Sequence, residues 1–509
     1  MNITNILDYL EDAAEQHPDK LALIDDNTKH TYRQYIEKAK EIGSYFSSER
    51  IKGRPIACFM EKSVETLELF MGIVYAGGFY CLIDPTFPKE RIENILNVLQ
   101  PEFVVTRNEL YKEHEEKLAD AAKNASFRII DLDDIKSDID EETLIINREF
   151  ACDIDPLYCN FTSGSTGVPK GVVVNHRSTI DFIENFAELF DFSEDDVIAN
   201  QAPFDFDVSV KDIYTALKCA STLVIIPKAF FSQPNKVIDM LYDNKVTSLT
   251  WAVSALCMVV RLHALKYKVP PAIKKILFSG EMMPIKQLNQ WRSVYPDAMF
   301  VNLYGPTEIT CNCTYHVLDR EYVDGEKIPA GIAFPNEKVF LLDDEDKEVT
   351  DIGESGEICV SGTAVAIGYY NNKEVTDKVF RQNPLNPYFY ERIYCTGDLG
   401  YYGEDGLLYF AGRKDFQIKH MGHRIELEEV ETALNAVSIV ERSCCYFDEV
   451  KNKIVACYIG SDDKGAIIEE MKKKVPEFMI PNKFVNVEDF PLTKNGKIDR
   501  KLLREMVSK

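Results

Sequence analysis

The segment TSGSTGVPKG, Thr162 to Gly171, concentrates the residue types that hold phosphate. Its three glycines, Gly164, Gly167 and Gly171, let a backbone turn tightly and bring N–H groups up to an anion. Hydroxyls on Thr162, Ser163, Ser165 and Thr166 and the ammonium of Lys170 add donors for phosphate oxygens. The order is not that of a Walker A loop, which needs Gly-Lys-Ser/Thr, because Pro169 precedes Lys170 and Gly171 follows it. A Gly/Ser surface turn shares this composition, but ten such residues closing on Pro-Lys-Gly point to a phosphate cradle.

Such a loop has to be held by regular structure. An apolar stretch, Leu157-Tyr158-Cys159, precedes it, and a β-rich run, Val172–Val174, follows. Elsewhere helical and strand patterns alternate. Ser63–Tyr75 has the pattern of a helix, and Phe127–Ile130 and Thr222–Ile226 those of short buried strands, the second after a helical pattern at Asp212–Lys218. The alternation predicts βα units in a layered α/β architecture. At 509 residues the chain exceeds one hydrophobic core. After the Gly-rich stretch from Gly397 to Gly412, Arg413-Lys414-Asp415-Phe416 leads into a Lys- and Glu-rich tail. A boundary at Asp415 divides the chain into a large N-terminal part, 1–414, and a small α/β domain, 415–509.

The formal charge of −25 argues against nucleic acid or an anionic membrane as the main partner. The 13 cysteines are scattered with no CxxC pair, as expected for free thiols in a reducing cytosol. The beginning, MNITNILDYLEDAAEQHPDK, has no basic n-region or apolar h-region. The longest uncharged runs, Leu69–Ile83, Val246–Val260 and Ile358–Asn372, fall short of a membrane span. These features predict a cytoplasmic protein.

The phosphate loop resembles the signature of the adenylate-forming superfamily, which includes acyl-CoA synthetases, luciferases and the adenylation domains of peptide synthetases. The resemblance covers nearly the whole chain, with further segments in the family's order. These are AGGFYCLIDPTFPKERI (Ala76–Ile92), NLYGPTEIT (Asn302–Thr310), GESGEICVSG (Gly353–Gly362), YCTGDLG (Tyr394–Gly400), GRKDFQIKHMGHRIELEEVE (Gly412–Glu431) and NGKIDRK (Asn495–Lys501). The amino-acid branch, including the D-alanine–carrier protein ligases, is the most similar. The resemblance implies ATP and magnesium (Mg2+) as cofactors, and formation of an aminoacyl adenylate.

Adenylation brings a carboxylate up to the α-phosphate, so neutralising and positioning two anions supplies most of the catalysis. The resemblance implies that Lys497 reaches both anions, a task suited to a point charge on a long stem. It further implies that Tyr304 stacks on adenine, with Asn302 on its edge and Gly305, Gly280 and Glu281 lining the nucleotide. Thr307 touches the α-phosphate, Glu308 holds magnesium, Asp398 accepts the ribose hydroxyls and Arg413 adds a ribose or phosphate contact. FDFDVSVKDIY (Phe204–Tyr214) resembles the pocket helix, in which Asp207 pairs with the substrate's ammonium group. Asp205 and Asp212 are rivals nearby, and capping of the following helix is a structural alternative for Asp207. The remaining pocket positions carry over to Phe206, Val208, Lys211, Ser254, Leu277, Ser279, Leu303, Cys311 and Asn312. Ser279 stands where the D-alanine enzymes carry a cysteine, so the amino acid is left open. Lys211, four residues after Asp207 on the same helix face, meets a carboxylate or other polar group of the substrate, pairs with Asp207 or points to solvent.

No segment resembles the Gly-Xaa-Ser site that bears a phosphopantetheine arm, so the expected acceptor is a separate, acidic carrier protein. By the same resemblance Gly422 lines the path of the arm, and Asp415 is the hinge of a mobile C-terminal domain. The alternative function is an acyl- or aryl-CoA ligase, which does not need the carboxylate of Asp207.

Overall fold

A computed structural model describes residues 3–118, 127–164, 168–323, 325–414, 417–491, 498 and 500–507. It is a mixed α/β protein with a large N-terminal domain and a smaller C-terminal one. Two large sheets form the N-terminal part, one of seven strands and one of nine.

The seven-stranded sheet has Phe79–Ile83 and Pro55–Phe59 near its centre. Every residue of both strands is buried, as expected of parallel strands covered on two faces. Helix Val64–Tyr75 crosses between them, its first turn capped by the Ser63 hydroxyl accepting from Thr66 N. All of its residues except Glu65 are buried, so it is a core helix rather than an amphipathic one. Residues of both large sheets, among them Leu82, Val105, Leu223, Leu277 and Val301, join one continuous core.

In the nine-stranded sheet, Ser248–Ala252, Lys275–Ser279 and Met299–Tyr304 lie side by side and parallel. Their carboxyl ends therefore open on the same edge, where ligands settle in open α/β sheets. Lys275 starts the middle strand, and its ammonium lies 2.7 Å from Asp196 Oδ2. Asp196 also accepts from the hydroxyls of Thr247 and Ser248 at 2.7 and 3.0 Å.

The third sheet contains Arg392–Tyr402, with Leu408–Arg413 along it. Beyond residue 416 come the hairpin Gln417–His420 and His423–Glu426 and a sheet of Val440–Asp448, Lys453–Gly460 and Lys483–Asn486. Helices Leu427–Asn435 and Lys464–Met471 enclose a hydrophobic cluster drawn entirely from Ile425 to Phe484.

The sequence patterns meet the structure with small shifts. The strand expected at Phe127–Ile130 is Arg128–Asp131, and Thr222–Ile226 ends at Ile225. The helix expected from Asp212 begins at Val208, because the β-branched Val208 and Val210 mask a helical start that burial stabilises. All 13 cysteines are free, and no helix among the described residues is long and apolar enough to cross a membrane.

Removing Lys275 strands a buried carboxylate. Lys275→Met is expected to lower stability by about 3 kcal/mol, read from the urea unfolding midpoint.

Candidate active site

The phosphate-like loop joins strands Pro156–Thr162 and Lys170–Asn175, paired antiparallel so that Thr162 faces Lys170. Thr162 Oγ1 donates to Lys170 O at 3.4 Å. A Cβ on Gly164 would lie 2.0 Å from Val168 O, so the backbone folds back more closely than any side chain permits. Ser163 Oγ donates to Arg424 O at 3.0 Å. Lys170 Nζ lies 4.0 Å from Glu426 Oε1 and faces the ring of Tyr369. Ser165, Thr166 and Gly167 lie outside the described residues.

Strand Met299–Tyr304 and the turn after it bring the next group. Asn302 Nδ2 donates to Pro329 O at 2.7 Å. The Tyr304 hydroxyl donates to Asp398 Oδ2 at 2.6 Å, and Arg413, the register partner of Asp398 on the adjacent strand, pairs with its other oxygen. A Cβ on Gly305 would meet Asn312 Cα at 2.5 Å, so glycine lets the turn lie flat against Cys311–Cys313. The 3-10 turn Thr307–Ile309 aims Thr307 at the Asp207 carboxylate and buries Glu308 completely. Glu308 accepts from Arg424 Nη1 at 2.9 and 2.6 Å and from the Tyr369 hydroxyl at 2.7 Å. Burial pushes the Glu308 carboxyl up, but the Arg424 charge and the Tyr369 hydrogen bond outweigh it and hold the group at about 2.

The pocket helix Val208–Lys218 starts directly after Asp207, whose side chain makes no capping hydrogen bond. The capping alternative is therefore not what the structure contains. Burial raises the Asp207 carboxyl above its ordinary value, although the Thr307 hydrogen bond and Lys211 oppose the rise. Cys311 Sγ donates to Asp207 O at 2.8 Å. One turn along the helix, Lys211 Nζ donates to Ser279 Oγ at 3.2 Å and to Asn312 Oδ1 at 2.9 Å. Leu277, Ser279, Leu303, Cys311 and Asn312 are buried around it, and Phe206, Val208 and Ser254 are half-buried. The two rival aspartates are occupied elsewhere. Asp212 accepts from Asn200 Nδ2 at 3.0 Å, and Asp205, raised to about 7 first by burial and then by Asp84, feels Asp84 and Lys228 instead.

The C-terminal hairpin covers this edge. Gly422 at its tip has φ +82, and its N–H donates to Glu281 Oε1 at 2.6 Å, just past Gly280 at the end of strand Lys275–Ser279. A Cβ there would touch Ala252 Cβ at 3.3 Å and Ser254 Oγ at 3.4 Å, so both conformation and space favour glycine. Lys419 lies 5.4 Å above the Tyr304 ring, and His423 meets the Phe206 ring edge-on at 4.8 Å. Arg91 and Glu429, both buried, add an ion pair at 3.1 Å between the N-terminal part and helix Leu427–Asn435. Asp415 and Lys497 lie outside the described residues.

Sequence reasoning missed Arg424, Tyr369, Lys419 and the Arg91–Glu429 pair. Arg424 and Lys419 stand inside the quoted Gly412–Glu431 segment, where strand alternation puts Arg424 on the same side as Gly422. Its partner is 116 positions away, with no local signal.

Magnesium takes oxygen donors, carboxylates foremost. Glu308 is a buried, ionised carboxylate next to the loop and so has the right donor chemistry. Among the described residues no group of three or more His, Cys, Asp or Glu side chains converges on one point. Magnesium is commonly held by one or two carboxylates, with phosphates and water completing its shell.

Fold and site together define a layered α/β protein in which a Gly-rich loop adjoins a cluster of buried polar and charged side chains. A family model described as AMP-binding enzyme matches residues 10–370, and one described as AMP-binding enzyme C-terminal domain matches 429–497. The chain belongs to the AMP-binding enzyme family. It is 31% identical over 519 residues to the D-alanine--D-alanyl carrier protein ligase of Staphylococcus haemolyticus, covering 99% of this chain and 100% of that one. It is 33% identical to part of bacitracin synthase 1 of Bacillus licheniformis, covering 98% of this chain and 9% of that protein. Among solved structures, the Vibrio cholerae adenylation domain AlmE in complex with glycyl-adenosine-5'-phosphate superposes with a TM-score of 0.84 at 20% identity, covering 100% of this chain and 99% of that one.

Glu308 has a folded-state value below its unfolded one, so its contribution to stability is complete above the unfolded value and is lost as pH falls towards the folded one. Arg424→Ala is expected to lower the thermal midpoint at pH 7. It should also shrink the further loss on acidification between about pH 5 and pH 2, measured by thermal unfolding of both proteins across that window.

Proposed function

We propose that this protein uses ATP to convert an amino acid into its aminoacyl adenylate and then passes the aminoacyl group to the phosphopantetheine thiol of a separate carrier protein. The observation that carries the reading is the place of the Asp207 carboxylate, buried beside Thr307. It sets a buried carboxylate suited to an ammonium group next to the turn that presents Glu308. An amino acid held there by its ammonium group would have its own carboxylate at the phosphate side of the pocket. The full-length similarity to D-alanine--D-alanyl carrier protein ligases supports the same chemistry.

In the first step a substrate carboxylate oxygen bonds to the α-phosphorus while the bond from that phosphorus to the bridging oxygen breaks and pyrophosphate leaves. The loop Thr162–Lys170 binds the phosphates, and Thr307 and Lys497 neutralise the oxygens that carry the developing charge. Magnesium, held by Glu308, would offset the charge of the leaving pyrophosphate. Asp398, oriented by Tyr304 and Arg413, receives the ribose hydroxyls, and Tyr304 and Asn302 hold the adenine. In the second step the thiol gives up its proton, its sulfur bonds to the acyl carbon and the acyl–phosphate oxygen bond breaks to release AMP.

Arg424 and magnesium draw on the same carboxylate, so the hairpin and the metal-bound nucleotide use Glu308 in turn. The arrangement with Gly422 seated on Glu281 suits the thiol step, in which the arm would pass Gly422. Lys497 serves the adenylation step after the domain 415–509 rotates about Asp415. The carrier would be acidic, as phosphopantetheine carriers of this family are expected to be.

Pyrophosphate exchange and loading of a phosphopantetheinylated carrier test the whole reading, and exchange with fatty or aryl acids but with no amino acid would overturn it. Lys497→Ala should slow adenylate formation about a hundredfold or more while leaving thiol transfer from supplied adenylate nearly intact. Equal loss in both half-reactions would count against its role. Asp207→Ala should weaken amino-acid activation and relax discrimination against des-amino analogues, measured as kcat/KM in the exchange assay.

A further inference from the structure

Two lysines are buried among the described residues, Lys211 at 1% exposure and Lys275 at 8%. They are neutralised in opposite ways. Lys275 has a carboxylate at 2.7 Å. Lys211 has two neutral acceptors, Ser279 Oγ and Asn312 Oδ1, and no ion pair joins it to a carboxylate among the described residues. Asp207 and Asp212 favour its charge only from a distance, and burial, the largest influence, lowers its value. An ammonium group withdrawn from water without an anion is costly, and the cost falls sharply when an anion arrives.

The surroundings say where that anion comes from. Lys211 reaches from the middle of helix Val208–Lys218 to the end of strand Lys275–Ser279 and to Asn312, which follows two residues of positive φ, Thr310 and Cys311. Leu277, two residues before Ser279 on the same strand and so on the same face, is a fully buried apolar neighbour. Asp207, about one 5.4 Å turn away, faces Thr307 and the phosphate side. A substrate's reacting carboxylate belongs on that side, so Lys211 faces what the amino acid carries beyond its α-carbon.

Resting on the function proposed above, we infer that the substrate is an amino acid with a second carboxylate on its side chain. Lys211 is the specificity-determining cation, and Ser279 and Asn312 fix it in place. Ser279 accepts from Lys211, which leaves its own O–H to donate to the same carboxylate. A buried charge-assisted pair discriminates strongly, because an amide or methyl in its place leaves the ammonium unmatched.

The test is pyrophosphate exchange by the intact protein with both enantiomers of aspartate, glutamate, asparagine, glutamine, alanine and serine. At least one acidic amino acid should exceed its own amide and alanine by about a hundredfold in kcat/KM. Lys211→Met, checked for folding by circular dichroism, should bring the kcat/KM ratio of that acid to its own amide down towards one, and a ratio unchanged in the folded variant would overturn the role of Lys211. Preference by the unaltered protein for a neutral amino acid would overturn the inference by itself, whether or not the variant folds. Exchange with neutral amino acids alone would leave the adenylation reading standing, whereas exchange with no amino acid at all would sink both.

Discussion

Glu308 has no exposed surface, yet it carries a charge that the fold must neutralise. Withdrawing such a charge from water costs several kcal/mol, and only close, well-directed partners offset it. Here the partners come from two separate places, Tyr369 at the edge of the seven-stranded sheet and Arg424 in the C-terminal hairpin. With Arg424 on Glu308, the hairpin backbone meets Ser163 Oγ and the hairpin tip meets Glu281. The Gly-rich loop, the turn after Tyr304 and the smaller domain are thus joined around a single buried carboxylate.

The remaining buried charges follow the same electrostatic rule with different outcomes. Asp196 and Lys275 neutralise each other below the nine-stranded sheet and leave no demand for a ligand. Asp207 and Lys211, on one helix face, do not form such a pair. Lys211 donates to two neutral acceptors, Ser279 and Asn312, and the Asp207 carboxylate has the neutral Thr307 beside it. A helix that buries a carboxylate and an ammonium one turn apart, each short of a full counter-charge, presents a polar template.

The sheet makes that template accessible. Three adjacent parallel strands end together, so Ser254, Ser279, Glu281, Gly305 and Glu308 arrive at one edge from segments far apart in the chain. Parallel order forces each strand to return by a crossover, and the crossovers leave the carboxyl ends free for side chains that bind. Glycine at 305 lets backbone approach backbone, and glycine at 422 lets the hairpin tip settle on the side chains of Ala252 and Ser254.

The α/β class and the phosphate-like loop were legible in the sequence. So was membership of the family, since apolar periodicity, glycine spacing and ordered motifs are local properties of a chain. The helix that starts at Val208 was partly hidden, because burial overrode the weak helical preference of β-branched residues. Which aspartate lies beside Thr307 was settled by tertiary contacts, which send Asp212 to Asn200 and Asp205 towards Asp84 and Lys228. The neutral setting of Lys211 and the hold of Arg424 on Glu308 were likewise out of reach from sequence. They depend on partners tens to hundreds of positions away, and the energy of a buried charge is set by what surrounds it in space rather than by its neighbours along the chain.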